Sequence, residues 1–313
     1  MAARATRSAS RKARVTEAVS TGPLGALSHD ELGVIFDGLA DPLQPVVAVA
    51  LSSTCLGLRT PLQAALQVLR QRHARAGVLC RKLKRSRLGL HDAENLYHIY
   101  DVASPSSERL DAGDMTTLGM ILRTCGLLRL KSIHLNNHIC DYASLQALSE
   151  GLGGGGAPSL ESLGLIGCNI GPAGAEALGA ALSRGVLPNL QSFALSGNRI
   201  GSQGVAALAP ALRKLPALQA LYLMKCGIVD KDMASLFADL GKNDFKKLET
   251  LCLITNLITD AGVASLVTAI DAGALPELKN NEVRFRLFGG HFDNPASDAA
   301  IEAVQTALKK RSQ

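Results

Sequence analysis

An internal repeat constrains the fold of this chain more than any other sequence feature. Five segments align on a leucine, and in each of them the first, fourth and sixth positions are apolar. They begin 30, 30, 28 and 30 residues apart, at Leu130, Leu160, Leu190, Leu218 and Leu248. A period of this length indicates stacked units that share one core, because a single unit is too small to bury its apolar side alone.

Each unit contains a strand pattern followed by a helix pattern. Positions 4 and 6 are apolar and alternate with variable residues, which predicts a short strand that turns these two side chains inward. Positions 19 and 23, one helical turn apart, carry Leu or Ile and predict a helix. Where position 15 is glycine, we expect the helix to approach its neighbour closely.

The chain turns at position 9, between the strand and the helix of each unit. The residues there are His138, Cys168, Asn198, Cys226 and Asn256. Because a turn leaves backbone groups unpaired, we expect the side chain at this position to bond to them from inside. We therefore interpret Cys168 and Cys226 as structural residues rather than redox or metal-binding ones.

These units resemble the leucine-rich repeat, L-x-x-L-x-L-x-x-N/C-x-L, and their full helix is similar to the ribonuclease-inhibitor type. The resemblance implies an α/β solenoid, a right-handed β-α horseshoe arc, over residues 101–290. The helical half of an earlier unit starts at Asp114, and an irregular last strand is expected through Val283, Phe285 and Leu287. Residues 291–313 are predicted to form a C-terminal capping helix.

Composition agrees with such a protein. The chain is 47% hydrophobic but only 4% aromatic, so its core must be aliphatic. Its longest apolar run, Val46–Leu51, is far shorter than the roughly 20 residues of a membrane helix. The seven scattered cysteines suit reduced thiols, and we expect a cytoplasmic or nuclear protein that is a monomer apart from its partners.

The N-terminal quarter carries the basic charge. Residues 1–88 contain 14 Lys/Arg and 5 Asp/Glu, and residues 1–22 read as a disordered basic tail, with a transit peptide as the alternative. In residues 23–60, Ser28 and Glu31 have the spacing of a capping box. The following Leu32, Ile35 and Phe36 lie on one helical face, which predicts a small all-α region.

This region resembles an F-box, the helical motif that docks onto the Skp-type adaptor of cullin–RING ubiquitin ligases. The opening pattern L-P-x-E-L-x-x-x-I-F-x-x-L is matched at Leu27, Glu31, Leu32, Ile35, Phe36 and Leu39, with Glu31 and Leu32 each one residue later than in the pattern. The segment "TCLGLR" matches the closing cysteine and arginine. Two positions depart from the pattern, since Ser28 replaces a proline and Leu58 a tryptophan. The resemblance implies that Leu32, Ile35 and Phe36 bind the adaptor; the alternative is a plain helical cap on the first repeat.

Residues 61–100 are predicted to be a basic helical linker or N-cap. Arg70 to Arg87 includes eight Lys/Arg and no acid, and "RKLKRSR" at 81–87 fits a solvated helix face or a nuclear localisation signal. Nucleic acid is an unfavoured partner, because no aromatic residue lies between Phe36 and Tyr97 to stack on bases.

No constellation for catalysis or cofactor binding stands out. The glycine-rich stretch 151–159 lacks the Gly-Lys-Ser/Thr of a phosphate loop. Zinc binding by Cys125, His134, His138 and Cys140 is disfavoured, since His134 falls on a strand and His138 at the buried turn. We therefore expect no enzyme activity, no metal and no cofactor.

Positions 3, 5 and 7 of each strand should form the concave face of the solenoid. In the five aligned units none of them is Asp, Glu, Lys or Arg, which favours a protein partner over phosphate. The residues predicted to bind that partner are His134, Ile166, Ser196, Tyr222, Met224 and Ile254. Alternatively, these side chains pack against one another and binding takes place at the rims.

Two functional hypotheses follow. The first is a substrate-recognition adaptor, in which the F-box-like region recruits a ubiquitin-ligase core and the repeats bind the substrate protein. The second is a leucine-rich-repeat scaffold or GTPase regulator with a plain helical cap and no ligase role.

Overall fold

The structure is a computed structural model that describes residues 29–53, 62–100, 108–241, 243–279, 282–285 and 294–311. The predicted basic tail, Ser28 and the "TCLGLR" element lie outside the described residues. The chain divides into two compact units, Met1–Gly77 and Val78–Gln313.

The described part of the first unit is helical, as the sequence predicts. It contains α1 (His29–Leu39), α2 (Val46–Ser53) and most of α3 (Gln63–Lys82). Leu32 and Phe36, four residues apart on one face of α1, are buried in a core with Ala48, Leu62 and Leu69. This apolar face explains why a short helix is stable here, since burial stabilises it more than intrinsic propensity does.

In the described residues of the second unit, seven strands form one parallel sheet, and each pairs with the next strand in the chain. The strands are β1 (Asn95–Ile99), β2 (Ser132–Asn136), β3 (Ser162–Gly164), β4 (Ser192–Ala194), β5 (Ala220–Tyr222), β6 (Thr250–Cys252) and β7 (Val283–Arg284). The helices of this unit are α4 (Arg87–His91), α5 (Ala112–Thr124), α6 (Tyr142–Gly153), α7 (Pro172–Leu182), α8 (Gly201–Lys214), α9 (Asp230–Phe237), α10 (Asp260–Asp271) and α11 (Asp298–Arg311). From β1 to β7 one helix separates consecutive strands, so the α/β solenoid expected from the repeat is confirmed.

Strand β1 corrects the prediction for residues 61–100, which described them only as a basic helical linker. Asn95 pairs with Ser132, 37 residues later, whereas Ser132 pairs with Ser162 after 30. The repeat that begins with β1 is therefore seven residues longer than the next repeat, and the extra residues lie between its strand and its helix. This insertion shifts the strand out of the 30-residue phase, which is why the spacing alone did not reveal it.

The repeat helices approach one another closely, and glycine makes this approach possible. A Cβ added at Gly119 of α5 would collide with the backbone of Ala147 in α6. At position 15, a Cβ on Gly204 would lie 2.8 Å from the Cβ of Ala175. The expected role of glycine at position 15 therefore agrees with the geometry.

The C-terminal end closes the sheet irregularly. β7 is only two residues long, and the terminal helix is Asp298–Arg311, shorter than the predicted 291–313. Arg311 donates to the carbonyl oxygens of Leu275 (2.5 Å) and Leu278 (2.7 Å), which holds this helix to the preceding turn. Leu287, the last residue of the predicted strand, is not among the described residues.

Candidate protein-binding surface

A ladder of buried side chains at position 9 fixes the turns that support the sheet. The Oδ1 of Asn198 accepts hydrogen bonds from the N–H groups of Cys168 and Ile170, both at 3.0 Å. Its Nδ2 donates to the carbonyl oxygens of Leu165 and Leu195, both at 2.7 Å. The turn at Cys168 is thus bonded from inside by the next repeat, as the residue type at position 9 predicts.

Cysteine performs part of the same role in two repeats. The thiol of Cys168 donates to the Leu135 carbonyl at 2.9 Å, and that of Cys226 donates to the Leu195 carbonyl at 3.3 Å. Burial raises the pKa of the Cys226 thiol to about 12. A buried thiol that stays protonated is a poor nucleophile, so the structural interpretation of Cys226 agrees with its surroundings. For Cys168, where a hydrogen bond with Cys140 lowers the thiol pKa, the structural interpretation rests on burial and on the bond to Leu135.

His138 occupies position 9 in the repeat that follows the insertion. Its Nδ1 accepts from the Leu110 N–H at 3.2 Å, and its Nε2 lies 3.0 Å from both the carbonyl oxygen and Nδ1 of His98. These partners assign a neutral ring with its proton on Nε2. Burial lowers the pKa of His138 to about 4, which keeps the ring neutral near pH 7.

The outer face of the sheet, which we call the open face, carries positions 3, 5 and 7 and is the surface predicted to bind partners. Along β2 the residues at positions 3, 5 and 7 of the repeat are half-buried, while Ile133 and Leu135 between them are fully buried. This alternation confirms the predicted strand periodicity.

The six residues predicted to bind a partner differ in how much of them reaches the surface. His134, Ile166, Tyr222 and Met224 are half-buried, but Ser196 and Ile254 are only 3% and 5% exposed. The Ser196 hydroxyl accepts a hydrogen bond from the Met224 N–H at 3.1 Å, so it supports the neighbouring strand. For Ser196 and Ile254 the structure therefore favours the alternative that side chains of this face pack against one another.

Among the described residues of the open face, the most exposed lie on β1, a strand that the 30-residue spacing does not predict. Tyr97 and Ile99 are 60% and 58% exposed, and their register partners are His134 and Asn136. Among the strands that the structure describes, β1 is the first in the sheet and pairs with β2 alone. In the sequence, Leu96 and His98 alternate with Tyr97 and Ile99, a pattern that is typical of a strand. The insertion places this pattern 37 rather than 30 residues before the next strand, so the repeat spacing does not predict it.

Side chains on the first three strands interlock. The ring of Tyr97 meets that of His134 edge-on, with centroids 5.1 Å apart. His134 Nε2 lies 2.8 Å from the Ser162 hydroxyl, and its ring covers Gly164, where an added Cβ would lie 3.0 Å from Nδ1. Burial lowers the pKa of His134, which favours the neutral ring.

Part of the basic run at 81–87 belongs to this fold. Lys82 bonds to Asp114 at 2.5 Å and to Asp111 at 3.2 Å, and these two acids also form the capping box of α5. Arg85 Nη2 donates to the carbonyl oxygen of Asn95, at the start of β1, at 3.2 Å. Neither of the two predicted interpretations of this run, a solvated face or a localisation signal, anticipates the inward role of Lys82.

In the first unit, the three residues predicted to bind the adaptor are not equally accessible. Leu32 and Phe36 are buried core residues, and only Ile35 is exposed. A core residue cannot contact a partner without unfolding, so Leu32 and Phe36 are corrected to structural residues. Helix α2 exposes three valines instead: Val46, Val47 and Val49.

Within the described part of the chain, no group of three or more His, Cys, Asp or Glu side chains is placed to hold a metal ion. His134 and His138 have separate surroundings, the first on the open face and the second inside the turn. Among the helices that the structure describes, none is long and apolar enough to cross a membrane.

Comparison with known proteins supports the repeat. The family model described as Leucine Rich repeat matches residues 156–179 and 186–209, two consecutive units. No curated protein matches the sequence of the chain. These two matches and the parallel sheet with its alternating helices identify an α/β leucine-rich-repeat solenoid, preceded in the chain by an α-helical region.

Proposed function

We propose that this chain is a non-enzymatic interaction protein whose repeats bind a protein partner on the open face. One observation carries the proposal: from β2 to β6 the open face presents uncharged side chains at every position 3, 5 and 7. Leucine-rich repeats generally bind proteins, and a surface without cations offers nothing to a phosphate backbone. Tyr222 and Met224, half-buried side chains of the open face, are of the types that anchor protein interfaces.

We further propose that the first unit is an F-box-like module that recruits a Skp-type adaptor, which makes the chain a substrate-recognition subunit of a ubiquitin ligase. The support is the resemblance of its sequence and the exposed apolar side chains of α1 and α2. With Leu32 and Phe36 in the core, the contact residues become Ile35, Val46 and Val47. Val46 is 74% exposed, and burying such side chains stabilises an interface by roughly 25 cal/mol per Å² of apolar area.

A pull-down of the full chain with the Skp-type adaptor tests this role. We expect Val46→Asp and Val47→Asp to abolish adaptor capture, and the exposed Gln67→Asp on α3 to leave capture unchanged. Phe36→Ala is unsuitable as a contact variant, because it removes a buried ring and should destabilise the unit by about 3–5 kcal/mol.

The absence of adaptor binding by the unaltered chain, where a known F-box protein binds, would exclude the ligase role. The second candidate would then stand: a repeat scaffold or GTPase regulator whose helical region is only a cap. Both functions place the protein in the cytoplasm or nucleus, which fractionation of tagged protein would check.

A further inference from the structure

The β1 end of the open face differs from the rest of the sheet in exposure. Position 5 is occupied by an exposed tyrosine in β1, by half-buried residues in β2 and β5, and by buried residues in β3, β4 and β6. Ile99, two residues after Tyr97, is exposed on the same face. These two neighbouring side chains are 60% and 58% exposed, so they offer apolar area that a partner can bury.

Cationic side chains lie at both ends of β1. Arg85 bonds to the carbonyl oxygen of Asn95 at the start of the strand, as described above. Beyond the other end, the guanidinium of Arg109 lies 5.0 Å from the ring centroid of Tyr100, and its Nε donates to the Asn137 carbonyl at 3.1 Å. Both side chains are exposed, and among the described residues neither forms an ion pair with a carboxylate.

The acids near β1 offset only part of this charge. The carboxylate of Glu94 is paired with Arg129 and Lys131. Asp92 and Glu108 are exposed, but Lys84 is exposed beside Arg85 and Arg87 follows it. Among the described residues around β1, cations therefore outnumber acids, although the rest of the open face through β6 is uncharged.

We propose that the β1 end of the open face binds an acidic segment of the partner protein that carries an apolar residue between its carboxylates. The inference rests on the proposed protein-binding role of the repeats. The apolar side chain would cover Tyr97 and Ile99, and the carboxylates would pair with Arg85 and Arg109, since arginine binds carboxylates through two parallel N–H groups. β1 has five residues, so at about 3.3 Å per residue two carboxylates four to six residues apart in an extended segment span it.

Single-stranded RNA is the competing occupant, because tyrosine and arginine side chains also bind bases. The strands after β1 disfavour it: a nucleic acid needs cations along its whole path, and the open face from β2 to β6 has none. A short acidic peptide needs cations only at β1.

Fluorescence anisotropy with the full chain tests the inference. The probes are labelled 12-residue peptides with Phe-Leu flanked on each side by Glu pairs, the same peptides with Lys for Glu or Ser for Phe-Leu, and a 12-nucleotide oligouridylate. We expect the Glu/Phe-Leu peptide to bind at least ten times more tightly than the other three probes. Its binding should weaken as salt rises, because the charges are exposed.

Variants locate the site. Arg85→Glu, Arg109→Glu and Tyr97→Ala should each weaken binding of the Glu/Phe-Leu peptide about tenfold. Arg199→Glu, exposed in a middle repeat, and Tyr142→Ala, 57% exposed on α6, are the matched controls and should bind normally. All five side chains are exposed, so circular dichroism should show that each variant is folded at the temperature of the binding assay.

Equal binding of the Lys and Glu peptides, no binding of the Glu peptide, tighter binding of the oligouridylate, or equal losses in the control variants would each overturn the inference. None of these variants lies in the first unit. Peptide binding without adaptor capture would therefore reject the ligase role alone, and adaptor capture without peptide binding would reject this inference alone.

Discussion

Replacing His138 by asparagine should make the stability of the repeats less sensitive to acid. The folded protein holds the ring neutral, with a pKa of about 4 against an ordinary value of 6.5, because burial disfavours the imidazolium. The unfolded chain therefore takes up a proton below pH 6.5 that the folded chain does not bind until about pH 4. Stability is fully present above pH 6.5 and is lost as the pH falls between these two values.

The size of the effect follows from the pKa difference. Each pKa unit corresponds to about 1.4 kcal/mol, so the ring alone should remove about 2.5 kcal/mol of unfolding free energy between pH 7.5 and pH 4.5. The conversion applies because the side chain is fully buried. Other groups titrate over the same range, so only the difference between His138→Asn and the unaltered protein isolates this ring.

Urea denaturation at pH 7.5 and pH 4.5 measures that difference. Asparagine occupies the same position at Asn198 and Asn256, where it accepts from the N–H groups of the preceding turn. Cysteine occupies it at Cys168, so His138→Cys is a second variant without a titrating ring in this range. If both variants lose as much stability on acidification as the unaltered protein, His138 is not the acid-sensitive group and its assigned neutral state is wrong.

Three further outcomes are expected. Asn256→Ala removes hydrogen bonds to the N–H groups of Cys226 and Ile228 and to two carbonyl oxygens, so it should lower the unfolding free energy by roughly 3–5 kcal/mol in urea denaturation. Asn256→Cys should lower it clearly less. Equal losses in the two variants would contradict the role of position 9 in fixing the turns. Gly119→Ala should destabilise the repeats by about 1–3 kcal/mol, because the added methyl group collides with the Ala147 backbone. Gly38→Ala in α1, where an added methyl group meets open space, should be neutral or stabilising. Equal effects of the two substitutions in thermal denaturation would exclude close helix packing as the cause. Cys226, buried and with its pKa raised to about 12, should escape iodoacetamide at pH 8 in the native protein and react in urea, as read by peptide mass spectrometry; rapid native labelling would show that the turn opens.

The repeat itself was readable from the sequence because its signal depends on local spacing. Inward positions 4 and 6, the turn residue at position 9 and the helix pair at 19 and 23 recur with nearly constant period. Each reflects a local requirement of strand, turn or helix. The resulting order of strands and helices from Leu130 onward agrees with the structure.

The first repeat and the accessibility of single side chains were not readable in this way. Because of a seven-residue insertion, β1 does not follow the 30-residue spacing of the other repeats. The spacing therefore did not predict Tyr97 and Ile99, the most exposed described residues of the open face. Ser196 and Ile254 occupy positions that face outward, yet neighbouring side chains cover them. Periodicity predicts the direction of a side chain, but its exposure depends on the size of residues in adjacent repeats.

The sequence by itself determined the repeating α/β architecture, the structural use of position 9 and an open face without charges over the aligned units. Only the tertiary structure decided which of those positions reach the surface, that Leu32 and Phe36 form a core, and that Lys82 bonds to Asp114. The physical reason is the range of the interactions. Backbone pairing and inward burial recur within each repeat, whereas exposure and ion pairing join residues about 30 positions apart, whose neighbours no local pattern specifies.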